Sequence, residues 1–343
     1  MSTSSGSGSR LRAYLLFVAA LLYYWVARSL AHHAARGIAG DAWFPLVEQA
    51  MLIFLLLLGF GAMGFWVDRQ SDPVSQQGLP FRSSWTREAA MGLATGWGLA
   101  ITCVLPMMVA GGIAIYFSPQ TPNWVWFVVD GAYFALAALA EEVAFRGYCF
   151  QCFVRAVGPL GATLGFAAIY AIIQRLVPGS TTASFAVALA FTVLLSTAYL
   201  RTRALWVSWG INFGFKASRA LLFGLAINGV STHSHVVQGD PMGPFWLTGG
   251  AFGLEGSWLS FAVLLAALPV VFRITRDLDY RYNAPVFVPG GIPVDIDAAA
   301  RSQHQAAMGS APAAAPQLVQ IGAPAPPADV ASHNPAERTS DQP

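Results

Sequence analysis

The stretch from Trp124 to Gly147 reads WVWFVVDGAYFALAALAEEVAFRG, and its reading decides the class of fold. Most of it is an apolar run, and roughly 20 such residues in a helix cross the hydrocarbon layer of a membrane. Near its end stand Glu141, Glu142 and Arg146. An ionised side chain in lipid costs from ~2.5 to over 10 kcal/mol, so each of these needs a partner or a purpose. Outward from this stretch, about seven further blocks of similar character are bounded by charges or by Pro and Gly: 11–31, 43–67, 89–117, 160–177, 185–200, 205–227 and 258–274. The pattern predicts an all-α polytopic membrane bundle of about eight transmembrane helices.

Composition agrees. The 343 residues are 55% hydrophobic and only 10% charged, far from the quarter-charged surface of a soluble globule. Mean hydropathy is +0.53. A net charge of +2, spread along the chain, offers no nucleic-acid surface. Cys103, Cys149 and Cys152 all lie inside apolar blocks, which excludes a disulfide scaffold and a zinc-finger spacing. The expected partners are the lipid bilayer and a membrane peptide or protein.

Arginine placement predicts orientation, because short basic loops stay cytoplasmic. With the N-terminus inside, eleven arginines fall on one side, from Arg10 to Arg281, and Arg28, Arg36 and Arg175 on the other. Both termini are therefore expected in the cytoplasm. The predicted organisation is a cytoplasmic tail (1–10), N-terminal transmembrane helices (11–118), a core (124–275) and an Ala/Pro-rich disordered tail (285–343). Arginine in place of nearly all lysine points to a GC-rich bacterial coding sequence, hence a bacterial inner membrane.

Four blocks carry polar or charged groups at membrane depth. Besides Glu141, Glu142 and Arg146 these are Asn212, Lys216 and Arg219, then Gln174 and Arg175, and finally Glu48. Lys216 is the only lysine in the chain. Glu142 and Arg146 have the spacing of a same-face helical pair, whereas Glu141 lies about 100° round and must project elsewhere. Asn212, Lys216 and Arg219 are expected to stack on one face. If the fourth helix continues to a turn at Gly158 and Pro159, Glu141 and Gln174 both lie roughly 25 Å from that turn and can be neighbours.

These residues resemble a known family, the CPBP intramembrane proteases, which include the type II CAAX prenyl endopeptidases and bacteriocin self-immunity proteins. The run Glu141 to Tyr148 looks like its EExxxR signature with the following FRG. Tyr199–Trp206 with Gly210–Leu225 is similar to its last histidine helix, and Leu247–Ser257 (LTGGAFGLEGS) to a stretch found after it in one bacterial branch. The resemblance spans about residues 124–275. It implies a glutamate and two histidines that activate water, usually with zinc, and an Asn or Asp that orients the site.

This chain departs from that pattern. Tyr170 and Gln174 stand where the family has FxxxH, and Asn212 and Lys216 where it has HxxxN. Amides are poor zinc ligands, and an ammonium repels a cation. The expected site is therefore Glu141, Glu142, Arg146, Gln174, Asn212 and Lys216, with no metal ligands and no cofactor. His233 and His235 are read as loop bystanders. Three functions follow in order: a degenerate member with a binding or regulatory role, an active glutamate-dependent membrane endopeptidase, and an ion or proton transporter.

Overall fold

A computed structural model describes residues 4–283, so the expected disordered tail at 285–343 lies outside the described residues. The described chain is overwhelmingly helical. Helix α1 runs over Ser4–Ile38, α2 over Phe44–Trp66, the single turn α3 over Pro73–Gln76 and α4 over Trp85–Val109. Strand β1 (Ile113–Phe117) precedes α5 (Thr121–Arg146), α6 (Tyr148–Arg175), α7 (Thr182–Thr202) and α8 (Leu205–Ala217), which ends in a π turn at Ser218–Leu222. Strand β2 (Val237–Pro241), the short α9 (Phe245–Thr248), α10 (Trp258–Ile274) and α11 (Arg276–Asn283) follow.

Among the described residues, five stretches are long and apolar enough to cross a membrane: Gly8–Ile38, Phe44–Trp66, Trp85–Val109, Thr121–Arg175 and Thr182–Thr202. The fourth contains both α5 and α6, and α8 and α10 are shorter helices in the two remaining expected blocks. Large apolar side chains point outward along these helices, as with Leu15, Leu22 and Trp25 on α1 and Phe54 and Leu58 on α2. In water such a surface would be unfavourable; against acyl chains it needs no partner.

Two expected helices run differently. The block over 89–117 is not one helix, because α4 stops at Val109 and Gly111 turns with φ +70°. The following Ile-Ala-Ile-Tyr-Phe run has β-branched and aromatic residues and pairs antiparallel with β2, Ile113 opposite Pro241 and Phe117 opposite Val237. The fourth helix does not continue through Tyr148. It breaks at Gly147 (ψ −132°), where an added Cβ would collide with the Val143 carbonyl oxygen. The expected turn at Gly158 is present as a kink with φ +83° inside α6. The count of residues that placed Glu141 beside Gln174 therefore does not describe the path of the chain.

Helices α4 and α8 cross through glycine. A Cβ on Gly92 or Gly96 would run into the carbonyls of Val207 and Ile211, and one on Gly210 or Gly214 into those of Ala89 and Leu93. Both helices carry the small-xxx-small spacing that lets backbones approach closely. At about 100° per residue, Asn212 and Lys216 lie about 200° round from Gly210 and Gly214 respectively, so α8 turns its polar face away from α4. The start of α4 is tied down separately. Buried Glu88 accepts from Arg82 Nε (2.8 Å) and Ser84 Oγ (2.7 Å), while Arg82 Nη2 also reaches the Thr202 carbonyl at the end of α7 (3.0 Å).

Gly96→Ala should lower thermal stability in detergent by about 1–3 kcal/mol, the usual cost of overpacking. Gly98→Ala, on the same helix with nothing within 4 Å of the new methyl, should leave stability unchanged or raise it slightly. Thermal unfolding of the two variants against the parent checks this; equal losses would remove the crossing from its role.

Candidate functional site

On α5 the two adjacent carboxylates diverge, as their rotation about the helix requires. Glu142 is completely buried, and its Oε1 accepts from Arg146 Nη1 at 2.9 Å, one turn along the same helix. Glu141 faces α8. Lys216 Nζ donates to both of its oxygens, at 2.6 and 2.5 Å, and Asn212 Nδ2 donates to Oε2 at 3.0 Å. The same Asn212 amide lies 3.1 Å from Glu142 Oε1, so one side chain bridges the two carboxylates. The result is a compact group of alternating charge: Lys216, Glu141, Asn212, Glu142, Arg146.

Gln174 stands apart from the carboxylates. Its Nε2 donates to Asn228 Oδ1, on the segment after the π turn. It does share a small hollow of about 30 Å³ with Tyr170, Lys216, Arg219, Asn228 and Glu255, walled also by Val187, Phe191 and Phe215. The expected stack of Asn212, Lys216 and Arg219 is broken at its last member. The π turn begins at Ser218, and its wider hydrogen-bonding swings Arg219 to Glu255, with the guanidinium 4.5 Å from the Phe215 ring centre. Arg175 Nη1 binds the nearby Ser180 carbonyl (2.7 Å), and Glu48 pairs with His32 Nδ1 (2.8 Å).

Beyond the ion pair lies a cleft of about 270 Å³. Its walls include Tyr133, Phe134 and Ala137 of α5, Ile227 and Val230 of the loop after α8, and Pro45 of α2, with Glu141 and Lys216 also lining it. Asp130, Phe134, Ala137 and Glu141 follow one another on α5 at steps of four, three and four, so the cleft runs along one helix face. Eleven residues separate Asp130 from Glu141, about 16 Å of helix.

At the Asp130 end the loop is fastened by that buried carboxylate. Asp130 Oδ1 lies 3.0 Å from His233 Nδ1, and Oδ2 accepts from the Ser234 amide at 2.8 Å. His233 thus lines the cleft that Glu141 and Lys216 also line. Asp130 carried a signal in the sequence, as an acidic residue in an apolar block on the same helix face as Glu141. His235 is exposed. The Arg219–Glu255 pair had only half a signal, since nothing in the spacing links α8 to a loop far along the chain.

The donor set does not suit zinc. The Glu141 carboxylate is taken up by an ammonium and an amide rather than left open to a metal. Among the described residues no three His, Cys, Asp or Glu gather as a metal site, and the three cysteines are buried and free.

No curated protein and no solved structure matches the chain. Residues 119–218 match the family model described as type II CAAX prenyl endopeptidase Rce1-like, a narrower span than the resemblance at 124–275 suggested at its C-terminal end. That span runs from just before α5 to the first residue of the π turn, and it contains Glu141, Glu142, Arg146, Gln174, Asn212 and Lys216. The chain is thus an integral membrane protein in which residues 119–218 are similar to the type II CAAX prenyl endopeptidase Rce1-like family.

Proposed function

We propose that this protein uses the CAAX-protease scaffold without its metal chemistry, as a membrane protein that binds a membrane-embedded ligand or peptide in the cleft beside Glu141. One observation carries the reading: Lys216 bonds both oxygens of Glu141, the carboxylate that would otherwise activate water. With Lys216 and Asn212 hydrogen-bonded to it and a cation beside it, the glutamate is not free to activate water or to hold a metal. Glu142 accepts from Arg146 and Asn212 through Oε1. In this reading Glu141 and Lys216 form a neutral polar end to the cleft that sets the ligand's depth, and Asn212, Glu142 and Arg146 support them from behind, with Gln174 in the adjoining hollow.

A second reading, cleavage of a membrane peptide by Glu141 without metal, is supported by the position of Glu141 on the cleft wall and by its side chain being 31% exposed. It needs Lys216 to move off the carboxylate when substrate enters. The arginine distribution supports both termini in the cytoplasm of a bacterial cell. The protease-like core at 124–275 and the preceding helices at 11–118 are taken here as two parts of one bundle.

Elemental analysis of the purified protein should find no stoichiometric zinc, and the same preparation should not cleave prenylated or transmembrane peptides. Stoichiometric zinc, lost together with peptidase activity on chelation, would overturn the binding reading; zinc-free cleavage abolished by Glu141→Ala would establish the second. Lys216→Met should destabilise the protein by roughly 3–5 kcal/mol, because it strands a charge that had a partner. The double variant Lys216→Met/Glu141→Gln should recover much of that loss, and thermal unfolding of the four proteins measures the coupling. Reporter fusions to either terminus should be active only on the cytoplasmic side.

A further inference from the structure

Lys216 offers the only lysine amine of the chain, in a cleft with an apolar wall of Tyr133, Phe134, Ala137, Ile227 and Val230 and polar groups at its far end around Asp130 and His233. Its side chain is only 12% exposed, so the amine meets what enters the cleft rather than bulk water. Resting on the metal-free reading of the ion pair, we propose that the cleft takes a long-chain aliphatic aldehyde and holds it as an imine on Lys216. Three features point to this class of ligand. The wall of Tyr133, Phe134, Ala137 and Ile227 suits a hydrocarbon chain, and the run from Asp130 to Glu141, about 16 Å, suits a long one. The carboxylate needed to move protons is already hydrogen-bonded to the amine. Imine formation also keeps the charge balance of the pair, whereas acylation of the amine would strand Glu141 without its cation.

The step closes on these groups alone. The Lys216 ammonium gives a proton to Glu141, and the freed nitrogen lone pair attacks the aldehyde carbon. Proton transfer from nitrogen to the former carbonyl oxygen yields a neutral carbinolamine. Glu141 then returns its proton to that hydroxyl, the C–O bond breaks, water leaves, and the nitrogen lone pair forms the C=N bond. The product is a protonated imine facing the Glu141 carboxylate; one water is released and nothing is oxidised or reduced. Asn212, donating to Glu141 Oε2, keeps that carboxylate in place throughout.

The test uses the full chain in detergent, incubated with dodecanal and reduced with borohydride, followed by intact mass and peptide mapping. The expected result is one reduced adduct per chain, on Lys216, absent in Lys216→Arg, which keeps a cation against Glu141. Propanal should label Lys216 about tenfold more slowly or worse, since it leaves the apolar wall uncovered. Ala137→Phe, which fills the middle of the cleft, should slow dodecanal by a similar factor while sparing propanal, in protein whose thermal unfolding shows it folded. Labelling confined to the terminal amine, or equal rates for the two aldehydes at Lys216, would overturn the proposal while leaving the metal-free reading intact. Zinc bound at Glu141 would overturn both.

Discussion

A carboxylate and an ammonium taken together out of water are held by each other. Glu141 and Lys216 sit in elements whose other side chains are largely apolar, and among the described residues each is the other's partner within ion-pair distance. Breaking such a pair costs more than forming it gains, because the survivor is left as an isolated charge in a medium that solvates it poorly. The rest of the site is arranged around that requirement. Asn212 bridges the two carboxylates, Arg146 neutralises the second, and the cleft opens where the ion pair ends.

The pair exists only because α8 is oriented correctly, and the orientation is set from its other side. Gly210 and Gly214 let the α4 backbone come so close that a Cβ at either position would collide with it, so this face of α8 is the one turned to α4. The opposite face, with Asn212 and Lys216, then has to meet α5. Association in lipid has no hydrophobic driving force, so close packing of small residues and polar contacts share the task. Here they occupy opposite faces of one thirteen-residue helix. The π turn that follows sends Arg219 to Glu255, which pins the segment after α9 to the same end of the bundle.

The EExxxR helix carries an intrahelical Glu142–Arg146 bond, and Gly147 makes the abrupt break that starts α6. Amides and an ammonium, not imidazoles, set the electrostatics beside that helix. A divalent cation needs anionic or neutral donors with free lone pairs, and Lys216 and Asn212 compete for those of Glu141. The cleft above the pair ends at the Asp130 anchor of the loop carrying His233.

Much of this was legible in one dimension. Apolar block length specifies membrane helices, and the spacing of Glu142 and Arg146 specifies their pairing, since both depend only on the rise and rotation of a helix. The divergence of Glu141 followed from the same geometry. Local chemistry also marked the ends of elements, although the Gly111–Gly112 and Gly147 breaks were read through, because a glycine in an apolar run is ambiguous until a neighbour's carbonyl lies against it. Only the tertiary structure decided which groups meet: that Lys216 takes Glu141, that Gln174 turns to Asn228, that Arg219 finds Glu255, and that His233 joins the cleft. Those contacts link segments up to about a hundred residues apart, and their geometry depends on helix rotation and crossing, which are set by packing between helices and leave no periodic mark in the chain.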